Sequence, residues 1–313
     1  MICRFINKFI KDKYRLLASS SNTKISGTYS TNIIFNDIYN TLVGDNYKSS
    51  CKNLACYNKL NISTNIIPSK FYNSKTLPLE FVIILNNVPY KYLYKPNADL
   101  SLDYFFNLVT DYIFNLLNFP YKMSKVYPKY NLIEMKDART LNNFKDVRGF
   151  SSFISKNQND NFLITFSISL LINYIFKIGD RNLDNMLIDE QGMFYNIDFE
   201  YVLGEDPKYF IDLVVPRIIS DFLRTDLLLY EKFKEVVVFY YKILREEYKK
   251  IIEYCRDLYK RGNYKFSIFK LEKILYEKLV EGNVKNLSKE IDRSMRCYKT
   301  RITHFINNIS KSI

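Results

Sequence analysis

Tryptophan is absent from these 313 residues, histidine occurs once, and glycine and proline occur eight times each. So little glycine and proline excludes long flexible linkers and low-complexity architectures. The single histidine, His304, excludes a His-rich metal site and any mechanism that needs two imidazoles. The five cysteines, Cys3, Cys51, Cys56, Cys255 and Cys297, are odd in number and irregular in spacing. That pattern argues against a disulfide framework, and Cys51 and Cys56 have no second Cys or His pair with which to hold zinc. Reduced thiols in a cytoplasmic setting are expected. No long hydrophobic run is present. The most apolar stretch, Phe162–Phe176, carries Thr165, Ser167, Ser169 and Asn173 and falls short of the ~20 residues that a membrane span needs. Met1–Ile10 is apolar but short and carries Arg4 and Lys8, so it does not read as a secretory signal.

What is abundant is basic charge: 46 Lys and Arg against 33 Asp and Glu, a net charge of +13. A basic surface attracts polyanions, whether nucleic acid, nucleotides or anionic lipid headgroups. A lysine-rich solvated surface accounts for the same number. The bias is uneven, with nine basic residues and three acids in residues 1–60. No zinc finger, glycine-aromatic RNA motif or basic helix accompanies it, which argues against nucleic acid as the partner.

Periodicity organises the rest. Leu79–Leu85 and Tyr90–Tyr94 are β-branched and aromatic runs across Asn86-Asn87, which predicts a hairpin. Asp99–Leu117 has helical spacing, and 131–135 is extended. A polar loop is expected over about 136–160, then a buried helix over 161–177 ended by Gly179. Met186–Ile188 and Phe194–Ile197 flank a Gly192 turn and predict a second hairpin. From Val215 onward the spacing is helical. Residues 1–60 are weakly patterned.

The chemistry-bearing residues cluster around the second hairpin. Asp180 and Asn185 are five apart in Gly179-Asp180-Arg181-Asn182-Leu183-Asp184-Asn185, and Asp198-Phe199 follows the hairpin. Phosphoryl transfer to a hydroxyl needs a carboxylate near the attacking oxygen, oxygen ligands for magnesium, and a cation on the phosphates. Asn185 and Asp198 are hard oxygen donors of the kind magnesium takes. Turn and cap roles would explain either segment alone. Both together, joined by a hairpin and preceded by a buried helix, favour the chemical reading.

Phe166–Gly204 resembles the core of the phosphatidylinositol 3-/4-kinases and their protein-kinase relatives. Their pattern runs Asp-Arg-His-x-x-Asn, then His-Ile-Asp-Phe-Gly, then Leu-Gly. The resemblance implies an α+β, bilobal protein-kinase-like fold. A strand-rich N-lobe would occupy 61–135 and a larger, mostly helical C-lobe 136–313, after a basic segment over 1–60 of unclear role. It implies Asp180, Arg181 and Asn182 as catalytic-loop residues, with Arg181 organising the loop, and Asn185 and Asp198 as metal ligands. Lys95-Pro96-Asn97-Ala98-Asp99-Leu100-Ser101-Leu102-Asp103 aligns with the family's Lys-x-Gly-Asp-Asp-Leu-Arg-Gln-Asp, making Lys95 the phosphate lysine and Asp103 the last acid. Pro120-Tyr121 is similar to a Pro-Tyr-Gly segment and Leu132-Ile133-Glu134 to the strand before the adenine hinge. Tyr121, Glu134, Met135 and Lys136 would then belong to the ATP site. Ser74 and Lys75 resemble the phosphate loop. ATP with Mg2+, or Mn2+ in its place, are the implied cofactors, and an inositol lipid at an anionic membrane surface the implied partner of a cytoplasmic, peripherally bound enzyme.

Three departures stand out. Asn182 and Asn196 replace histidines, and Glu200 replaces the glycine after Asp-Phe. An amide cannot exchange protons near neutral pH, so Asp180 is left as the one candidate base. The segment 199–216 carries Glu200, Glu205, Asp206 and Asp212 against Lys208, which suits a substrate without several phosphates better than a polyphosphorylated one. A pseudokinase acting as a scaffold, and a protein Ser/Thr kinase of the same superfamily, are the competing readings.

Overall fold

The computed structural model describes residues 65–71, 78–85, 88–95, 98–156, 159–205 and 213–296. The basic segment, Ser74, Lys75, four of the five cysteines and His304 lie outside those residues. The chain divides into two compact units: one of Met1–Leu100 with Ser124–Lys136, the other of Ser101–Met123 with Asp137–Ile313.

The smaller unit is a five-stranded antiparallel sheet in the order β1-β2-β3-β5-β4. Its strands are β1 Asn65–Phe71, β2 Leu79–Leu85, β3 Val88–Tyr94, β4 Val126–Tyr127 and β5 Leu132–Glu134. β2 and β3 form the expected hairpin, paired from Leu79↔Tyr94 to Leu85↔Val88. β1 was not legible as a strand. Pro68 lies within it, and a proline, which cannot donate to a ladder, is tolerated on an edge strand such as this one. Tyr92, Tyr94, Val126 and Leu132 are buried.

The larger unit holds the long helices. α1 spans Ser101–Leu116 and buries Phe105, Phe106, Val109, Ile113 and Phe114, one face at helical spacing. β6 Ala138–Thr140, β7 Met186–Asp189 and β8 Phe194–Asn196 make a small antiparallel sheet. In place of the expected 136–160 loop the chain forms β6 and the helix α2, Val147–Lys156. Gly149 and the Ser151-Ser152 pair have poor helix propensity and hid that helix. Tertiary packing overrides them, because Phe150 and Ile154 are fully buried and Asp146 Oδ1 accepts from Gly149 N at 2.8 Å as an N-cap. α3, Asn159–Ile175, is buried almost all round. α4 Arg217–Leu223, α5 Leu227–Glu246, α6 Tyr248–Lys260, α7 Ile268–Tyr276, a π-helical turn at Glu277–Glu281 and α8 Val284–Arg296 complete the unit. Among the described residues no helix is long and apolar enough to cross a membrane.

α3 ends differently from the expectation. Lys177, not Gly179, takes the left-handed conformation, with φ 46°. Ile178 N donates to Asn173 O at 2.9 Å, the six-to-one bond of a Schellman stop. The released chain is then held by Tyr201–Gly204: Gly179 N donates to Tyr201 O (2.8 Å), Leu203 N to Phe176 O and Gly204 N to Lys177 O (both 3.0 Å). These bonds fix the entry to the loop that begins at Asp180.

Candidate active site

β8 must be placed before Asp198 can be. Its N–H and C=O at Phe194 are both taken by buried side chains: Phe194 N donates to Thr165 Oγ1 at 3.0 Å, and the Tyr121 hydroxyl donates to Phe194 O at 2.9 Å. Tyr121 stacks on Phe114 with centroids 3.7 Å apart and is 6% exposed. Burial pushes its phenol pKa far up, so it stays a neutral donor. The structure thus places the Tyr121 side chain in the core beneath β8.

Beyond β8 the chain turns at Asp198, and Arg181 holds the turn. Its Nε donates to Gly179 O at 2.8 Å, Nη1 to Ile197 O at 3.0 Å, and Nη2 to Asp198 O. The guanidinium, 3% exposed, also lies 5.4 Å from the Phe199 ring centroid. Phe199 in turn stacks on Phe106 at 5.6 Å, and Asp103 Oδ1 accepts from Phe199 N at 3.4 Å. α1 therefore backs the site, and Asp103 latches the backbone just past Asp198.

The loop Asp180–Asn185 is closed by its own amides. Asn185 Nδ2 donates to Asp180 O at 2.9 Å, Asn185 N to Asn182 O at 3.1 Å, and Ile197 N to Asn185 O at 3.0 Å. Asn185 and the residue before Asp198 are thus paired across the hairpin mouth. Asp180 and Asp198 both adopt left-handed backbone, with φ 47° and 61°. Four of the six described non-glycine residues with positive φ lie between Lys177 and Leu203, and such strain collects where surrounding contacts enforce a functional geometry.

Asp180, Arg181, Asn182, Asn185 and Asp198 are therefore brought together in the larger unit. Asn185 commits Nδ2 to Asp180, which leaves Oδ1 for a cation. Among the described residues no three His, Cys, Asp or Glu side chains cluster as a metal cage. Asn196 is 5% exposed and donates Nδ2 to Asn173 Oδ1 at 3.2 Å. Glu200 is exposed.

Lys95 and Glu134–Lys136 belong to the smaller unit. Lys95 N donates to Asn131 O at 3.0 Å at the end of β3. Glu134 N donates to Lys125 O and Met135 N to Lys91 O, both at 2.8 Å, so neither of those two amides serves as the donor to an adenine ring.

A strand-rich unit and a larger helical one, the latter carrying an acid–amide–acid loop beside a hairpin, are the make-up of an α+β fold of protein-kinase type. Residues 140–268 match the family model described as phosphatidylinositol 3- and 4-kinase. The phosphatidylinositol 3-kinase VPS34 of Saccharomyces cerevisiae is 30% identical over 202 residues, covering 56% of this chain and 23% of that protein. VPS34 of Candida glabrata is 44% identical over 88 residues, 28% of this chain and 10% of that one. A probable VPS34 homolog of Encephalitozoon cuniculi is 24% identical over 259 residues, 77% of this chain and 58% of that one. The chain thus spans less than two thirds of each of these relatives.

Proposed function

We propose that this chain is an ATP- and Mg2+-dependent lipid kinase that phosphorylates a hydroxyl of an inositol phospholipid. The observation that carries the reading is the loop pair in which Arg181 binds the carbonyls of Gly179, Ile197 and Asp198. In the proposed reaction Asp180 accepts the proton of the attacking hydroxyl. The hydroxyl oxygen bonds to the γ-phosphorus as the bond to the ADP oxygen breaks. Asn185 Oδ1 and the Asp198 carboxylate would hold the metal, Mg2+ or Mn2+, which supplies charge neutralisation on the phosphates. Lys95 would meet the phosphates and the Lys136 segment the adenine, with Ser74 and Lys75 in the phosphate loop. Asp103 and Tyr121 support the site from behind.

The acidic balance of segment 199–216 favours phosphatidylinositol itself over its phosphorylated forms, because each added phosphate would need a basic partner. The basic residues of 1–60 would favour an anionic bilayer, at about 1 kcal/mol for each Lys or Arg near the surface. This is a peripheral, cytoplasmic-face enzyme in that reading.

The test is labelled ATP with a panel of inositol lipid vesicles and a peptide panel, with Asp198→Ala as control. Lipid labelling lost in Asp198→Ala supports the proposal. Peptide labelling alone would make the chain a protein kinase. The amides Asn182 and Asn196 and the Glu200 side chain favour a second reading, a catalytically impaired scaffold. Absence of any thermal shift at millimolar ATP and Mg2+ selects it.

A further inference from the structure

Asn182 sits where the resembling pattern has an imidazole, and its contacts define a role of its own. Its Oδ1 accepts from two backbone amides, Asp184 N at 2.9 Å and Asn185 N at 3.2 Å. Rotating the amide by half a turn would set its NH2 against those two donors. The turn therefore fixes the orientation, and Nδ2 faces Asp180. There it lies 3.3 Å from Asp180 Oδ1 and 3.4 Å from Oδ2, astride both carboxylate oxygens. Asn185 Nδ2 reaches Oδ2 from another side at 3.4 Å.

We infer that Asn182 is a positioning residue for Asp180, aiming its carboxylate at the incoming hydroxyl and taking no proton itself. The inference rests on the phosphotransferase reading and deepens it. The role needs an acceptor toward the turn and a donor toward the carboxylate. A neutral imidazole supplies one of each only in the right tautomer and loses its acceptor when protonated; the amide supplies both at every pH. The two bonds to Asp180 are long, so they steer the carboxylate more than they stabilise the fold. The two bonds to the turn are the structural ones.

Asn182→Asp separates these functions. It keeps the shape and an oxygen for the turn amides, and it replaces the donor by an anionic oxygen facing Asp180. Two carboxylates at this separation repel, so the expected result is a melting temperature somewhat below wild type but above that of Asn182→Ala, with the thermal shift with ATP and Mg2+ retained. KM for ATP should stay within about twofold while kcat falls at least about tenfold, as a misaimed reacting group requires. Asn182→Ala, which loses the turn bonds as well, should fall in both stability and kcat. Wild-type kcat in Asn182→Asp overturns the inference and leaves Asn182 a turn residue. A second measurement needs no turnover. In 15N-labelled protein without nucleotide, the Asn182 side-chain NH2 resonances, assigned by their loss in Asn182→Asp, should shift in Asp180→Asn. Unmoved resonances overturn the inference even in an active enzyme. A wild-type protein that labels no lipid or peptide removes the phosphotransferase reading, and the positioning role in catalysis falls with it.

Discussion

Replacing Arg181 by methionine tests the framework of the site most directly. Methionine fills similar volume and keeps the apolar stem, but it gives up all three carbonyl bonds. Hydrogen bonds from a charged donor contribute about 1.5–3 kcal/mol each. The low end applies here, because Gly179, Ile197 and Asp198 are only partly buried and water can replace some of what is lost. Three such bonds at the low end sum to about 4.5 kcal/mol, and water that takes over part of what is lost leaves a net loss of about 3 kcal/mol. For a unit of this size each kcal/mol moves the melting temperature by about 2–4 °C, so the expected fall is about 6–12 °C. The thermal shift with ATP and Mg2+ should shrink further than the stability loss explains. Asp198 holds an unfavourable left-handed backbone at φ 61°, and Arg181 binds its carbonyl. Arg181→Lys should be intermediate, since an ammonium is a single point and cannot fork to separated carbonyls. An Arg181→Met protein that melts within about 2 °C of wild type, less than 1 kcal/mol, and keeps its full nucleotide shift refutes the reasoning.

Two further predictions concern the scaffold. Phe150 is fully buried and meets Phe162 at 5.5 Å and Phe222 at 5.4 Å, tying α2 to α3 and α4; Phe150→Ala should cost about 3–5 kcal/mol in urea unfolding. A loss below about 1 kcal/mol would mean the cluster collapses around the gap. Gly282 follows the π-helical turn, and a Cβ there would drive into the Lys278 carbonyl and the Tyr241 hydroxyl, which are themselves hydrogen-bonded. Gly282→Ala should therefore destabilise by about 1–3 kcal/mol in the same assay, despite the usual gain on removing a glycine.

Both hairpins, the buried α3 and the helical second half were legible because their apolar periods are long and unambiguous. The edge strand β1 was hidden by its proline, and α2 by glycine and serine, so local propensity pointed away from what tertiary packing imposes. The stop of α3 was misplaced by two residues, because the left-handed position is carried by Lys177, a lysine that composition gives no reason to suspect. In the site, the spacing of Asp180, Asn185 and Asp198 was readable. What spacing could not tell was which atoms are already committed. The amides of Glu134 and Met135 belong to the sheet, Asp103 to the backbone of Phe199, and the Tyr121 hydroxyl to β8.

The two asparagines that stand for histidines are not equivalent, and the difference bears on whether the loop is a working site. Asn182 uses both ends of its amide, on the turn and on Asp180. Asn196 uses one: Nδ2 goes to Asn173, and its buried Oδ1 meets no partner among the described residues. An unsatisfied buried acceptor costs about 1–3 kcal/mol. The strain is thus carried at Asn196, two residues before Asp198, while the residue beside Asp180 is fully satisfied. That asymmetry is what the proposed positioning role of Asn182 requires, and it locates the cost of an unsatisfied amide on the hairpin side of the site.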